Sequence, residues 1–184
     1  MNRWKILRLL LTGAAALVLM GHSPYRQWYV FRAKHLIVVT DDANPNAFLL
    51  AEEVAAAIAA RLPESKAMAS KAKTSQDVVK LLRSHQLKLG LLPFDVALEA
   101  FHQKGRFSQD APVPLRTLTV FGKYLLVALE DYPRDKAQQI AQALAEHPGS
   151  WSSPEKSLAK NKSPIPLHPG ALDYYEGRLA RGEH

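Results

Sequence analysis

Four short stretches of this chain carry side chains whose types and spacing could do chemistry. Thr40, Asp41, Asp42, Asn44 and Asn46 follow a β-branched run and offer oxygen atoms able to orient a polar ligand or bind a hard cation such as Ca2+. Thr74 and Ser75 open one helical pattern, Asp95 opens another, and His168 directly precedes Pro169. Each has a plainer explanation, because turns and helix N-caps use the same residue types. His22, His35, His85, His102, His147 and His184 show neither HExxH nor H-x-H spacing, so no metal site and no cofactor is expected. Ser75, Asp95 and His168 could be assembled on paper into a triad, yet no G-x-S-x-G elbow exists to present a nucleophile. With no Cys, the chain has no disulfide, thiolate site, Cys nucleophile or lipidated Cys. The expectation is a binding or interaction protein and not an enzyme.

The elements that must position these residues can be read from periodicity. HLIVVT, residues 35–40, lacks alternation, as in a strand buried on both faces. A helix capped by Asn46 should follow, with Ala47, Leu50, Ala51, Val54, Ile58 and Leu62 at helical spacing up to Pro63. Residues 66–70 read as a short strand, Thr74 with Asp77 as a capping-box-like helix start, and residues 87–92 as a third strand before a helix from about Asp95. Residues 115–121 and 124–129 are two more strands around Gly122 and Lys123, a spacing that suits a hairpin or a crossing back into the sheet. Pro133 suits the first turn of the next helix, residues 147–164 read as a mobile loop, and residues 169–180 as a closing helix. The pattern predicts an α/β domain over residues 35–184, with one open, mostly parallel sheet and flanking helices. In such sheets ligands sit beyond the carboxyl ends of the strands. Three of the four stretches fall there.

Charge is distributed unevenly. Six of the 24 Lys and Arg lie in residues 1–34 without one acid, which leaves 18 basic against 17 acidic residues beyond. A nearly neutral body argues against a nucleic-acid surface. Arg3, Lys5 and Arg8 precede an apolar run from Leu9 to Met20, and residues 19–24 lack the small-residue pattern of a cleavage site. Residues 4–28, about 36 Å long if helical, with Trp4 at one end and Tyr25, Trp28, Tyr29 and Phe31 at the other, are expected to form an uncleaved membrane anchor. The domain would then face the periplasm from the inner membrane, tethered by residues 1–34.

KLLRSHQLKLGLLPFDVA (80–97), PLRTLTVFGKYLLVALEDYP (114–133) and, most specifically, IPLHPGALDYYEGR (165–178) resemble TAXI-type solute receptors of TRAP transporters. The resemblance covers most of residues 35–178. It implies one lobe of a periplasmic, two-lobed α/β receptor that traps a small carboxylate-type solute and passes it to a membrane permease. Thr74, Ser75 and Asp95 match ligand-loop positions of that family. The departures lie in the same loops: Asp41–Asn46 replaces a Gly-rich loop, Val78 a polar Asn, and Pro93 and Phe94 a Gln and a Ser. The stretch that would build a second lobe is missing. The reading that follows is a membrane-tethered periplasmic accessory protein acting through contacts with a permease or another periplasmic protein. The alternative is capture of a small carboxylate-type solute.

Overall fold

A computed structural model describes residues 30–43, 45–147 and 163–177. The chain divides into two compact units, Met1–Ala33 and Lys34–His184. Residues 30–33 of the first are helical. The apolar segment at 4–28, Asn44 and most of the loop expected at 147–164 lie outside the described residues. Among those described, no helix is long and apolar enough to cross a membrane.

The second unit is α/β. Its elements are β1 (Ile37–Asp41), α1 (Pro45–Arg61), β2 (Met68–Ala72), α2 (Ser75–Arg83), β3 (Leu89–Pro93), α3 (Phe94–Phe101), β4 (Leu115–Phe121), β5 (Tyr124–Leu129), α4 (Arg134–Glu146) and α5 (Pro169–Tyr175). One sheet holds all five strands in the order β2-β1-β3-β5-β4. β1 pairs in parallel with β2 and β3, and β5 pairs antiparallel with β3 and β4. Four strands therefore run one way and β5 alone is reversed, so the expected open sheet is present as a mixed one. Residues 115–129 form a hairpin rather than a crossover.

Every residue of β1 is buried, as its unalternating run requires. The chain moves outward from β1 to β2, then back past β1 to β3. Right-handed crossovers in opposite directions place α1 and α2 on opposite faces of the sheet. Val38, Leu89, Leu91 and Leu126 accordingly pack under α1, α4 and α5, while Ile37, Val39, Leu92, Leu125 and Val127 pack under α2 and α3. Ala47, Ala51, Ala55 and Ala57 let α1 lie close to the strands. A bulge between Thr117 and Thr119 shifts the alternation of β4, so that Thr119 faces the α5 side.

Several boundaries differ from those the sequence predicts. β1 begins at Ile37 instead of His35. Lys66 takes a left-handed conformation (φ 46°) that closes a 3-10 turn at Pro63–Ser65, and this delays β2 to Met68. β3 begins at Leu89 instead of Leu87, because the Leu87 amide donates to Leu81 O (3.2 Å) in the C-terminal cap of α2. Asn46 does not cap α1 but lies inside its first turn, and Pro133 occupies the N-cap of α4 rather than its first turn. α5 stops at Tyr175, two residues before Gly177 (φ 70°).

The closing segment straps one side of the unit. Thr117 N donates to Pro166 O (2.9 Å) and His168 N to Thr117 O (2.8 Å), which pairs the segment with the outer edge of β4. α5 then packs on α4 so closely that a Cβ at Gly170 would stand 2.9 Å from Gln138 N and closer still to Arg134 O. Arg134 donates from Nε to Asp173 Oδ2 (2.5 Å) and from Nη2 to Asp173 Oδ1 (2.8 Å). Tyr175 donates to Leu118 O (3.1 Å) and shares a hydrogen bond with Thr119 Oγ1 (2.8 Å). Substituting Gly170→Ala is expected to cost about 3 kcal/mol in urea unfolding, because the obstacle is backbone that cannot swing aside. Gly122→Ala, where φ is 55° and the space is open, should cost about 1 kcal/mol.

Candidate functional site

The ladder between β1 and β3 runs only through Val38–Leu89 and Val39–Gly90. Past those pairs β1 continues beside β2 and β3 beside β5, so the two strands part at their carboxyl ends. This is the point where the chain's connections turn in opposite directions, the place at which open α/β sheets bind ligands. Thr40 and Asp41 end β1 there, and alternation sends them to opposite faces.

Thr40 lies on the α1 side with Val38; it is fully buried and its Oγ1 has no hydrogen-bond partner. Asp41, 6% exposed, accepts at Oδ2 a hydrogen bond from Ser75 Oγ. That contact ties the end of β1 to the start of α2. Thr74 is the N-cap of α2: its Oγ1 accepts from Asp77 N (3.1 Å) and donates to Asp77 Oδ2 (2.8 Å). Asp42 pairs with Lys71 Nζ (2.8 Å), and the same ammonium lies 4.6 Å from the centre of the Phe48 ring. Asn46 is exposed on the first turn of α1. Asp95 is the second residue of α3, exposed, and 3.5 Å from Arg106 Nη2, whose Nε bonds Glu99 Oε2 (2.8 Å).

Thr40, Asp41, Asp42, Thr74 and Ser75 thus gather at the carboxyl ends of β1 and β2, and Asp95 stands beyond β3. Most of their polar groups already bond within the chain. Lys71, which the sequence pattern alone does not single out, belongs to this group; it stands one position before the end of β2 and faces the Asp-bearing turn after β1. Among the described residues no group of three or more His, Asp or Glu side chains converges as a metal site would require.

His168 does not join them. It sits beside β4, at the opposite edge of the sheet and near its amino end, with its ring edge-on to Tyr132 (centroids 6.3 Å apart). Its Nδ1 accepts from Gly170 N (3.1 Å), which makes it the N-cap of α5. An accepting Nδ1 leaves the proton of the neutral ring on Nε2, which is buried without a well-formed partner. Burial holds the His168 pKa below its ordinary value, and nearby Arg116 adds to the effect; backbone carbonyls of Tyr132 and Glu130 and the Glu130 carboxylate oppose it. Tyr175 is pushed up to about 12 by burial, with Tyr174 adding to the rise and its Thr119 hydrogen bond opposing it. Tyr132 is likewise pushed up to about 12, by burial and then by Asp135. Both phenols therefore act as neutral hydrogen-bonding groups at ordinary pH.

At the amino end a cavity of about 50 Å3 is lined by His85, Leu87, Lys88, Leu129, Asp131, Tyr132 and Pro133. His85 Nδ1 is 3.7 Å from Asp131 Oδ2 across its mouth. The volume is far below the several hundred Å3 of a typical ligand pocket. No protein-family model matches the sequence, and no curated protein does either.

Because His168 is harder to protonate folded than unfolded, the folded state binds fewer protons. Its contribution to stability is full above the unfolded value of 6.5 and is lost as pH falls from there toward the lower folded value. Urea unfolding between pH 7.5 and 5 should show that loss in the wild type. His168→Asn, which keeps a capping oxygen but cannot titrate, should flatten the slope; an unchanged slope would place the titration elsewhere.

Proposed function

We propose that this chain is a membrane-tethered periplasmic accessory protein whose body is a TAXI-like receptor lobe, and that it works through contacts with another protein. The observation that supports the reading is the bond between Ser75 and Asp41. The polar side chains at the parting of β1 and β3 are turned toward one another, with Asp42 on Lys71 and Thr74 on Asp77, instead of outward to a small guest. What the carboxyl rim offers outward is a polar, exposed surface around Asp42, Lys71 and Asp95. Such a surface suits a protein partner, for which a shallow polar rim is ordinary. Half of a bilobal receptor leaves a solute open to water, whereas binding sites normally bury most of their ligand.

One observation favours the alternative. The Thr40 hydroxyl is buried beside the parting strands with its hydrogen-bonding capacity unspent. A carboxylate-type solute entering between β1 and β3 would accept from it.

Thermal melts of the full chain with amino acids and dicarboxylates separate the two. A solute at a hundred times its Kd would add about 2.7 kcal/mol, and Thr40→Val would abolish that gain. The accessory reading expects flat melts. It also expects a photo-crosslinking residue at position 95 to capture one defined protein in intact membranes, while the same probe at Lys136 on α4 does not.

A further inference from the structure

The two side edges of the sheet are finished differently. On β4 the chain supplies its own cover, through Thr117 with Pro166 and His168. On β2 the described residues supply none, since β2 ends the strand order and pairs only with β1. Which of its backbone groups are open follows from the ladder. Met68 N donates to Leu36 O (3.0 Å) and Asp42 N donates to Ala72 O (3.0 Å). In a parallel ladder alternate residues use both their groups on the same neighbour. Met68, Ser70 and Ala72 are therefore spent on β1, and the N–H and C=O of Ala69 and Lys71 point away from the sheet.

That open edge is basic. Residues 66–73 read KAMASKAK, with no acid among them, in a body otherwise close to neutral. Lys66, Met68, Lys71 and Lys73 are exposed. Lys71 is the last but one residue of β2, and Lys73 follows the strand in a bend. The chain's other segments do not complement this edge. Residues 1–34 contain no acid, and residues 148–162 hold Glu155 among Lys156, Lys160 and Lys162. Two copies paired edge to edge would align their lysines along one seam, where like charges repel.

We propose that the β2 edge accepts an extended, acidic segment of a partner protein as a sixth strand. Main-chain hydrogen bonds to Ala69 and Lys71 hold it, and its carboxylates meet Lys73 and share the Lys71 ammonium with the exposed Asp42 (2.8 Å). The proposal rests on the reading that the chain works through protein contacts, but it uses the side of the sheet, which meets the carboxyl rim only at Lys71.

The test uses the full chain with a synthetic peptide, acetyl-EVTVEVTVE-amide, and its counterpart with every Glu replaced by Lys. The expected result is salt-sensitive binding of the acidic peptide, at least tenfold tighter than of the basic one. On binding, hydrogen exchange should slow at the amides of Ala69 and Lys71 and stay unchanged at Met68, Ser70 and Ala72. Ala69→Pro removes one outward donor while sparing the ladder to β1, and should weaken binding at least tenfold. Lys73→Glu, which touches no backbone, should do the same, so the idea does not depend on how well the proline variant folds. Equal binding of both peptides, no binding, protection elsewhere, or a dimer that Ala69→Pro dissolves would each overturn it. Crosslinking from position 95 with no binding of the acidic peptide would sink the edge proposal and leave the protein-contact reading standing.

Discussion

A sheet whose central strands are apolar on both sides must be covered on both sides, and that requirement organises this protein. β1 carries three apolar residues and then Thr40 and Asp41, all of them buried. Helices have to lie above and below it. With right-handed crossovers, covering both faces obliges the chain to go outward to β2 and return past β1 to β3. The parting of β1 and β3 is a by-product of that return. So is the meeting of Asp41 with Ser75, because α2 must begin where it can descend over the face that Ile37 and Val39 present. The place where a ligand would be sought is thus created by packing before any question of binding arises.

The most distinctive stretch of the sequence, residues 165–178, is devoted over its described residues, 165–177, to closing the opposite edge. His168 caps α5, Pro169 occupies the first turn that has no use for its N–H, and Gly170 permits backbone to approach backbone. Asp173 receives both nitrogens of Arg134, and Tyr175 spends its hydroxyl on β4. A run of His, Asp and Tyr that looks chemical is explained residue by residue as a fastening. The ionisable members fit that role: burial lowers the pKa of the histidine and raises that of the phenol, so both favour their neutral, hydrogen-bonding forms at neutral pH.

Much of the fold could be read beforehand because its signals are local. The alanine stripe of α1, the Thr74 cap of α2, and the hairpin with its strands at 115–121 and 124–129 all depend on residues a few positions apart. Where β2 and β3 start later than the local pattern suggests, a turn takes up the first residues of each. Lys66 and His85 adopt left-handed conformations that neither residue type advertises, and each displaces the following strand by two residues. The candidate site was legible only as a set of residue types. Nothing in the spacing of Asp41 and Ser75, or of Asp42 and Lys71, announces that these side chains would satisfy each other.

By itself the sequence determined the class of the body, its alternation of strand and helix, the near neutrality of residues 35–184 and the absence of any thiol chemistry. Composition and short-range periodicity suffice for those, since they are properties of neighbours along the chain. Only the tertiary structure decided that β5 is reversed, that His168 lies far from the other candidates, and that among the described residues one edge of the sheet is covered while the other is not. Those outcomes turn on which distant residues come to share a face or an edge. A pairing between residues 34 apart, such as Asp41 with Ser75, leaves no trace in the local pattern of either partner.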